Sequence, residues 1–308
     1  MRNSNGHLAT LTLLVFQLVF ATSVLPTALA QPNNATSKRV VYYYQTQFSS
    51  GDNGNFVSLL PLIGKENLDE NGKPFTTDVL VGAFHLGPEA DRTEMHLNDF
   101  PPNSSRFDTL WNQTAIIQEH GINVNLFLGG YGDQSFVNLA ANFSFYYPIL
   151  TKTITTYKFN GIDLDVEDSA ETTEQMEKLI NRLRSDFGKQ FIITLAPVAS
   201  DLMPAALGLS LINYTQLFED ERRNISWFNA IVNNSFPADV IVGGMLVNPS
   251  DGGGFVDIGT VNITVQSLVK QFPNFGGVAA FEYFNALPGG TPRPAEWGTY
   301  FGKVMGGN

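Results

Sequence analysis

The sequence contains no cysteine and is short of positive charge and of histidine. Without cysteine no disulfide can form, so a large hydrophobic core has to supply the stability. Because 18 Lys and Arg residues stand against 29 Asp and Glu residues, we expect neither nucleic acids nor anionic membranes as partners. His85, His96 and His120 lack the spacing of metal ligands, so we expect structural roles for them and no metal or other cofactor.

The first 30 residues have the order of a secretory signal peptide. Arg2 precedes an apolar stretch over residues 8–25, and Ala28 and Ala30 provide a small-residue cleavage point before Gln31. Polar residues interrupt the stretch, which is also short for a bilayer span, so we expect cleavage and no membrane anchor. The sequence predicts a signal peptide over residues 1–30 and a secreted chain over residues 31–308, the size of one α/β barrel domain.

Asn-x-Ser/Thr sequons are frequent along the chain and predict an N-glycosylated secreted protein. Single matches to so short a motif arise by chance, so the prediction depends on the cluster as a whole. The eight sequons begin at Asn34, Asn103, Asn112, Asn142, Asn213, Asn224, Asn233 and Asn262.

Short apolar runs recur along the chain with helical segments between them. Between the fourth and fifth runs, Met176, Leu179, Ile180 and Leu183 recur at helical spacing, and Gly188 follows the end of that helix. Repeated strand-helix-strand order predicts a parallel sheet, and eight repeats predict an α/β fold closed into a (β/α)8 TIM-type barrel. The predicted strands cover residues 40–45, 79–85, 124–130, 159–166, 191–198, 225–230, 240–247 and 278–284.

The sixth repeat is too short for a complete unit. Only nine residues separate Ala230 from Val240, whereas a parallel crossover with its helix needs about a dozen or more residues. Either the sixth strand is misassigned or the sixth β/α unit is truncated.

Acidic residues alternate with aliphatic residues at the end of the fourth predicted strand. Asp163, Asp165 and Glu167 share one face of that strand, because successive side chains of a strand point to opposite faces. Three neighbouring carboxylates cannot all ionise freely, so at least one should have a raised pKa and hold a proton near neutral pH. A protonated carboxyl at the carboxyl end of a barrel strand is typical of a general acid in an active site.

Two other interpretations of these acids compete with an active site. Together with Glu174 they mimic a helix-loop-helix calcium loop, but Asp168 replaces the glycine at its sixth position and a strand precedes it. A solvated acidic edge would not require aliphatic residues between the acids. The active-site interpretation is favoured over both.

The acidic run Asn160-Gly161-Ile162-Asp163-Leu164-Asp165-Val166-Glu167 resembles the Asp-x-x-Asp-x-Asp-x-Glu signature of glycoside hydrolase family 18, with Asn160 at the first position. Matches extend along nearly the whole predicted mature chain, and they look most like secreted fungal endo-β-N-acetylglucosaminidases, with chitinases as near relatives. They include His96-Leu97-Asn98-Asp99-Phe100-Pro101-Pro102, Ile193-Thr194-Leu195-Ala196-Pro197-Val198-Ala199-Ser200, and Glu282-Tyr283-Phe284-Asn285-Ala286-Leu287-Pro288-Gly289-Gly290.

The resemblance implies a retaining hydrolase without a protein nucleophile. Glu167 would protonate the glycosidic oxygen, and Asp165 would orient the substrate acetamide while its oxygen attacks the anomeric carbon. Asp163 would tune Asp165, and water would open the oxazolinium intermediate with Glu167 as the base. The resemblance also implies substrate-binding residues at Tyr43, Gly129, Gly130, Phe281, Glu282 and Tyr283.

The sequence departs from the family at the tip of the sixth strand. Residues 225–230 resemble the start of that strand and residues 231–237 the end of the next helix, so the tyrosine that would contact the acetamide oxygen is missing. Phe281 replaces a sugar-stacking tryptophan, and Phe127 occupies a small polar position before Gly129 and Gly130. Because an oriented hydrogen bond to the reacting group matters strongly, we expect weak or absent turnover.

Two classes of function stay open. The first is a hydrolase that cleaves β-1,4-linked N-acetylglucosamine, in the chitobiose core of N-glycans or in chitin. The second is a lectin-like carbohydrate-binding protein, which the loss of the sixth strand tip favours. The retained acids favour the hydrolase, and the presence of only three tryptophans favours an N-glycan over chitin. We expect a monomer whose partner is an N-acetylglucosamine-containing glycan.

Overall fold

Eight parallel strands close into a barrel in the computed structural model, which describes residues 38–51, 54–87, 95–167, 171–202, 210–230 and 236–306. Each strand pairs with the next along the chain, and the last pairs with the first in the register Val41 to Ala279, so the predicted barrel is confirmed. The predicted signal peptide lies outside the described residues. The strands are β1 (Arg39–Tyr44), β2 (Asp78–His85), β3 (Asn123–Gly129), β4 (Gly161–Asp165), β5 (Ile192–Leu195), β6 (Trp227–Asn229), β7 (Ile241–Leu246) and β8 (Gly277–Phe281).

Helices cover the outside of the barrel. The helix after β4 begins with a capping box, in which Thr172 and Gln175 each accept a hydrogen bond from the other's backbone N–H. It ends at Gly188, whose φ of 77° suits glycine. The helices are α1 (Asp108–Glu119), α2 (Ser135–Ala141), α3 (Phe143–Thr156), α4 (Thr173–Phe187), α5 (Tyr214–Glu221), α6 (Ile258–Gln271) and α7 (Glu296–Val304).

Shorter elements complete the connections. Phe48–Ser49 pairs antiparallel with Asn55–Phe56, and His96–Leu97 pairs antiparallel with the end of β2. Short 3-10 helices cover Leu60–Ile63, Lys65–Asn67, Ser105–Phe107, Ala199–Leu202, Ala238–Val240 and Tyr283–Asn285. The eighth strand was predicted to reach Phe284, but it ends at Phe281 because the chain turns into the last of these helices.

Two apolar layers form the core. The larger layer lies between the strands and the helices, where α4 contributes Met176, Leu179, Ile180 and Leu183 as its spacing predicts. The smaller layer fills the inside of the barrel and consists of Val41, Tyr43, Leu80, Ala83, Phe127, Trp227, Val242 and Ala279. Active sites of such barrels lie at the carboxyl ends of the strands. We therefore expect functional groups among the inward-pointing side chains near those ends.

The truncated sixth unit still closes the barrel. The strand β6 has three residues and pairs with β5 through Trp227 and Phe228, and with β7 through Phe228 and Asn229. Between Ala230 and β7 the described residues form one 3-10 helix and no α-helix. The sixth strand thus lies within the range predicted from the sequence.

Candidate active site

The acidic residues lie at the carboxyl end of β4. Asp163 is fully buried inside the barrel, Asp165 is the last residue of the strand, and Glu167 follows two residues later at the half-buried rim. The alternation predicted from the sequence separates these acids from aliphatic neighbours that are buried in the outer layer: Ile162, Leu164 and Val166.

Asp163 accepts hydrogen bonds from three other strands. Its Oδ2 accepts from the Tyr43 hydroxyl at 3.0 Å. Its Oδ1 accepts from the Thr194 hydroxyl at 2.5 Å and from the Asn229 amide Nδ2 at 2.9 Å. A carboxylate that accepts three donors is held in one orientation, and the donors favour its ionised form.

Burial and mutual repulsion raise the pKa of all three carboxyls. Loss of solvent raises the pKa of Asp163 to about 6, against the three hydrogen bonds that lower it. Burial, followed by the charges of Glu167, Asp163 and Asp133, raises the pKa of Asp165 well above its usual range. Burial and then the charge of Asp201 raise the pKa of Glu167. The site can therefore hold protons near neutral pH, as a general acid requires.

The buried Asp163 predicts a stability that falls as pH rises. Its carboxyl has a pKa of 3.8 when unperturbed and about 6 in the folded chain, so between these values the folded state keeps a proton that the unfolded chain has lost. The free energy of unfolding should then decrease by roughly 2 kcal/mol between pH 4 and pH 7 from this group. Urea unfolding across this range should show a flatter pH profile for Asp163→Asn; an equally steep profile would contradict the assignment.

Two glycines bring β3 close to the acids. Gly129 has a φ of +107°, and a Cβ there would lie 2.2 Å from the carbonyl oxygen of Asp165. The Gly130 N–H donates to that carbonyl at 3.0 Å, and a Cβ on Gly130 would lie 3.8 Å from Asp165 Oδ2. Only glycine fits this approach without strain, so both residues shape the space beside Asp165.

Aromatic rings form the floor below the carboxylates. The Tyr43 ring meets Phe127 edge-on at 5.1 Å and lies 5.7 Å from Phe281, measured between ring centroids. Burial and then the charge of Asp163 raise the pKa of Tyr43 well above its usual range, so its hydroxyl stays a donor. Tyr43 thus donates a hydrogen bond to Asp163. The half-buried Phe281 lines the barrel mouth. Tyr131, 70% exposed directly after Gly130, adds a ring at the rim that was not predicted.

The other two predicted substrate-binding residues are not brought to the acids. Glu282 is 8% exposed, and its carboxylate accepts hydrogen bonds from the backbone N–H groups of Gln45 and Thr46 and from the Thr46 hydroxyl. Tyr283 is fully buried in the outer layer and donates to the carbonyl of Ser58 at 2.9 Å. Both side chains therefore fix the loop after β1, and direct contact with a substrate is assigned to neither.

Several residues near the acids were not found from the sequence. Thr194 and Asn229 bond Asp163 from neighbouring strands, and Asp201 acts on Glu167 through its charge. His85 at the end of β2 lies 2.9 Å from Asp133, whose charge acts on Asp165. Thr194 is the partner of Asp163 in the register of β4 and β5. Its inward-facing position at the same level was the signal that could have identified it.

The short strand β6 supplies an amide to the acids and, as predicted from the sequence, no tyrosine. The sequence from Ile225 to Val240 contains no tyrosine, and β6 reaches the acids only through Asn229. Among the described residues, no three or more His, Asp or Glu side chains are grouped to hold a metal ion. Within the same residues no helix has the length and apolarity to cross a membrane.

Comparison with known proteins identifies similar sequences and folds. The model of the glycosyl hydrolases family 18 matches residues 39–217. A fungal endo-β-N-acetylglucosaminidase of this family is 33% identical, with 87% of this chain and 98% of that chain covered at a TM-score of 0.76. A chitinase from Aspergillus fumigatus is also 33% identical, with coverages of 87% and 99% and a TM-score of 0.73.

More distant similarity supports the fold alone. A chitinase from Pseudoalteromonas aurantia is 17% identical, with 87% of this chain and all of that chain covered at a TM-score of 0.66. No curated protein sequence matches the chain significantly.

Proposed function

The chain belongs to the glycosyl hydrolases family 18, a family of glycosidases, and from this premise we propose that it cleaves β-1,4 N-acetylglucosamine linkages in the chitobiose core of N-glycans. The observation that carries the proposal is the set Asp163, Asp165 and Glu167 at the carboxyl end of β4, with a raised pKa at each carboxyl. Reactions on glycosidic bonds require a positioned proton donor, and Glu167 is the member of the set nearest the rim.

The proposed mechanism uses the substrate's own acetamide as nucleophile. Glu167 donates its proton to the glycosidic oxygen as that bond breaks, and the acetamide oxygen forms a bond to the anomeric carbon. Asp165 accepts the acetamide N–H and offsets the positive charge of the oxazolinium ring. Glu167, now ionised, takes a proton from the water that opens the ring with net retention.

Asp163 supports Asp165 in this scheme without contacting the sugar. It lies below Asp165 inside the barrel, and its charge raises the pKa of Asp165. The three donors on its carboxylate fix it there. The position next to Gly130 suits an acetamide methyl group, since among the described residues a Cβ on Gly130 would meet only Asp165 and the Phe127 ring within 4 Å, both at ordinary contact distance.

The positions of the tryptophans favour a soluble glycan over crystalline chitin. Trp227 and Trp297 are 1% and 2% exposed, and Trp111 on α1 stacks on Tyr157 at 4.1 Å outside the barrel. None of the three therefore offers a flat ring to a polymer surface. Tyr131 and Phe281 are aromatic groups at the mouth against which a sugar ring can stack. Chitin oligosaccharide is the alternative substrate, supported by the 33% identity to a chitinase.

Secretion and a monomeric state are part of the proposal. The apolar N-terminal stretch supports secretion, and so do four sequons whose asparagines are exposed: Asn103, Asn112, Asn142 and Asn213. A glycan attached to any of these asparagines would not have to displace buried side chains.

A paired digestion tests the choice of substrate. The secreted chain, in excess over substrate, is incubated with a high-mannose N-glycoprotein and separately with a chitin oligosaccharide, and products are weighed by mass spectrometry. We expect a glycoprotein that keeps one N-acetylglucosamine on asparagine, formed faster than chitobiose from the oligosaccharide. The reverse order of rates would assign chitin as substrate instead.

The second candidate function is a carbohydrate-binding protein with an impaired catalytic site. The observation that favours it is the three-residue β6, which brings no tyrosine to the acids. Binding of the glycan by a folded chain that releases no product under excess enzyme would select this candidate.

A further inference from the structure

Four residues connect the amino-terminal end of the barrel with the acids. The Arg39 guanidinium lies 4.1 Å from the centroid of the Trp227 ring, inside the barrel. The Trp227 indole Nε1–H donates to Asn229 Oδ1 at 3.0 Å. Asn229 Nδ2 in turn donates to Asp163 Oδ1 at 2.9 Å. Trp227 and Asn229 are 1% and 6% exposed, so water does not compete for these bonds.

The indole fixes which end of the Asn229 amide faces Asp163. An indole N–H can only donate, so the amide must present its oxygen to Trp227 and its NH2 group to the carboxylate. With the amide reversed, two donors would face each other and a carbonyl oxygen would face the Asp163 oxygen. The orientation of Asn229 therefore follows from chemistry and selects the ionised form of Asp163.

Asn229 holds this position although its strand is short. It pairs with Val242 of β7, and Ala230 donates its N–H to the carbonyl of that residue at 2.9 Å. Arg39 over the Trp227 ring adds an attachment that needs no strand pairing. The shortened strand thus still includes Asn229, the residue that bonds Asp163.

We infer that Asn229, oriented by Trp227, is a positioning residue that keeps Asp163 ionised and in place below Asp165. The inference rests on the proposed function insofar as Asp165 acts on the substrate, but the state of Asp163 itself is independent of turnover. Asn229 is buried and bonds Asp163, so its effect on the proposed chemistry passes through that carboxyl.

The groups that face Asp163 are few, which makes its titration interpretable. Tyr43 on β1 is the titratable group that bonds it, Asp165 on β4 is a titratable neighbour that feels its charge, and Thr194 on β5 is a neutral donor. Its register partner on β3, Phe127, brings no polar atom. Asn229 is therefore one of three hydrogen-bond donors that favour the ionised form of Asp163. The other two, Tyr43 and Thr194, can be left unchanged in the test.

The test is a titration of the Asp163 carboxyl by ¹³C NMR in the whole chain, with the signal assigned by its loss in Asp163→Asn. Asn229→Ala should move the midpoint of this titration upward by about one pH unit, because one donor to the ionised form is lost. Trp227→Phe, which keeps a ring but frees the amide to reverse, should move it in the same direction by a smaller amount. Asn125→Ala is the matched control, since Asn125 is a fully buried asparagine of β3 that bonds Asp78 and does not contact Asp163.

Three outcomes decide the inference. An upward shift in Asn229→Ala and in Trp227→Phe, with none in Asn125→Ala, supports it, even if no substrate is cleaved by any variant. If Asn229→Ala does not fold, the shift in Trp227→Phe decides alone. An unchanged midpoint in the folded variants, or an equal shift in Asn125→Ala, overturns the positioning role. With active chains, the pH profile of hydrolysis should move with the NMR midpoint.

Discussion

Glu167→Gln should reduce the rate of glycan cleavage about 10³-fold, the range observed when a general acid-base is removed. The amide keeps the shape of the side chain but has no proton to give to the leaving oxygen and cannot activate water. Glu167 is half-buried beyond β4, and burial and the charge of Asp201 raise the pKa of its carboxyl. A carboxyl with a raised pKa can donate a proton and later accept one near neutral pH. Product release under excess enzyme, followed by mass spectrometry, measures the loss.

The matched control is Glu174→Gln, which changes an exposed acid in the first turn of α4. It should leave the cleavage rate unchanged, and urea unfolding should show that both variants are folded as the parent chain is. If Glu167→Gln kept the parent rate, the proton donor would have to be another group, and the assignment of the site would be wrong.

Asp165→Asn should lower kcat about 10²- to 10³-fold with little change in KM, the effect of removing one electrostatic stabiliser of a transition state. The carboxylate at this position can accept the acetamide N–H and carry the negative charge that offsets the oxazolinium ring, whereas an amide brings no charge. Asp165 is half-buried, and burial and the neighbouring acids raise its pKa.

Asp186→Asn is the control for this substitution, because Asp186 pairs with Arg182 on the surface of α4 at 3.0 Å. It should have no effect on kcat or KM. A variant Asp165→Asn with a raised KM and an unchanged kcat would show that Asp165 only binds the substrate, and the substrate-assisted mechanism would lose its main support.

The sequence predicted the barrel and the acids because both follow from local periodicity. Apolar runs of strand length can be read without tertiary information, and the two-residue period of β4 places Asp163 and Asp165 inward. The truncated sixth unit was visible as well, since connection length sets a lower limit on a crossover. Its consequence could not be predicted: closure depends on the pairs that Trp227, Phe228 and Asn229 form with two neighbouring strands.

The eighth strand was predicted to extend beyond its observed end, and two of the residues predicted to bind substrate follow that end. Tyr283 was taken as substrate-binding from its place in a matching motif, but the chain enters a 3-10 helix after β8 and turns that ring into the outer core. Glu282 was assigned in the same way, and its carboxylate accepts hydrogen bonds from Thr46 in the loop after β1.

The sequence did not predict that Tyr43, expected to bind substrate, would join Thr194 and Asn229 as a hydrogen-bond partner of Asp163. Tyr43, Thr194 and Asn229 come from β1, β5 and β6, and no local pattern relates residues so far apart in the chain. Barrel register brings them to one level, and register is fixed only when the strands close.

The most direct test of the proposed mechanism is the configuration of the sugar released in the first turnover, observed by NMR before mutarotation. Attack by the substrate acetamide followed by water predicts release of the β-anomer from a β-linked substrate. Release of the α-anomer first would show a single inverting displacement, and this set of carboxylates would then need a different chemical assignment.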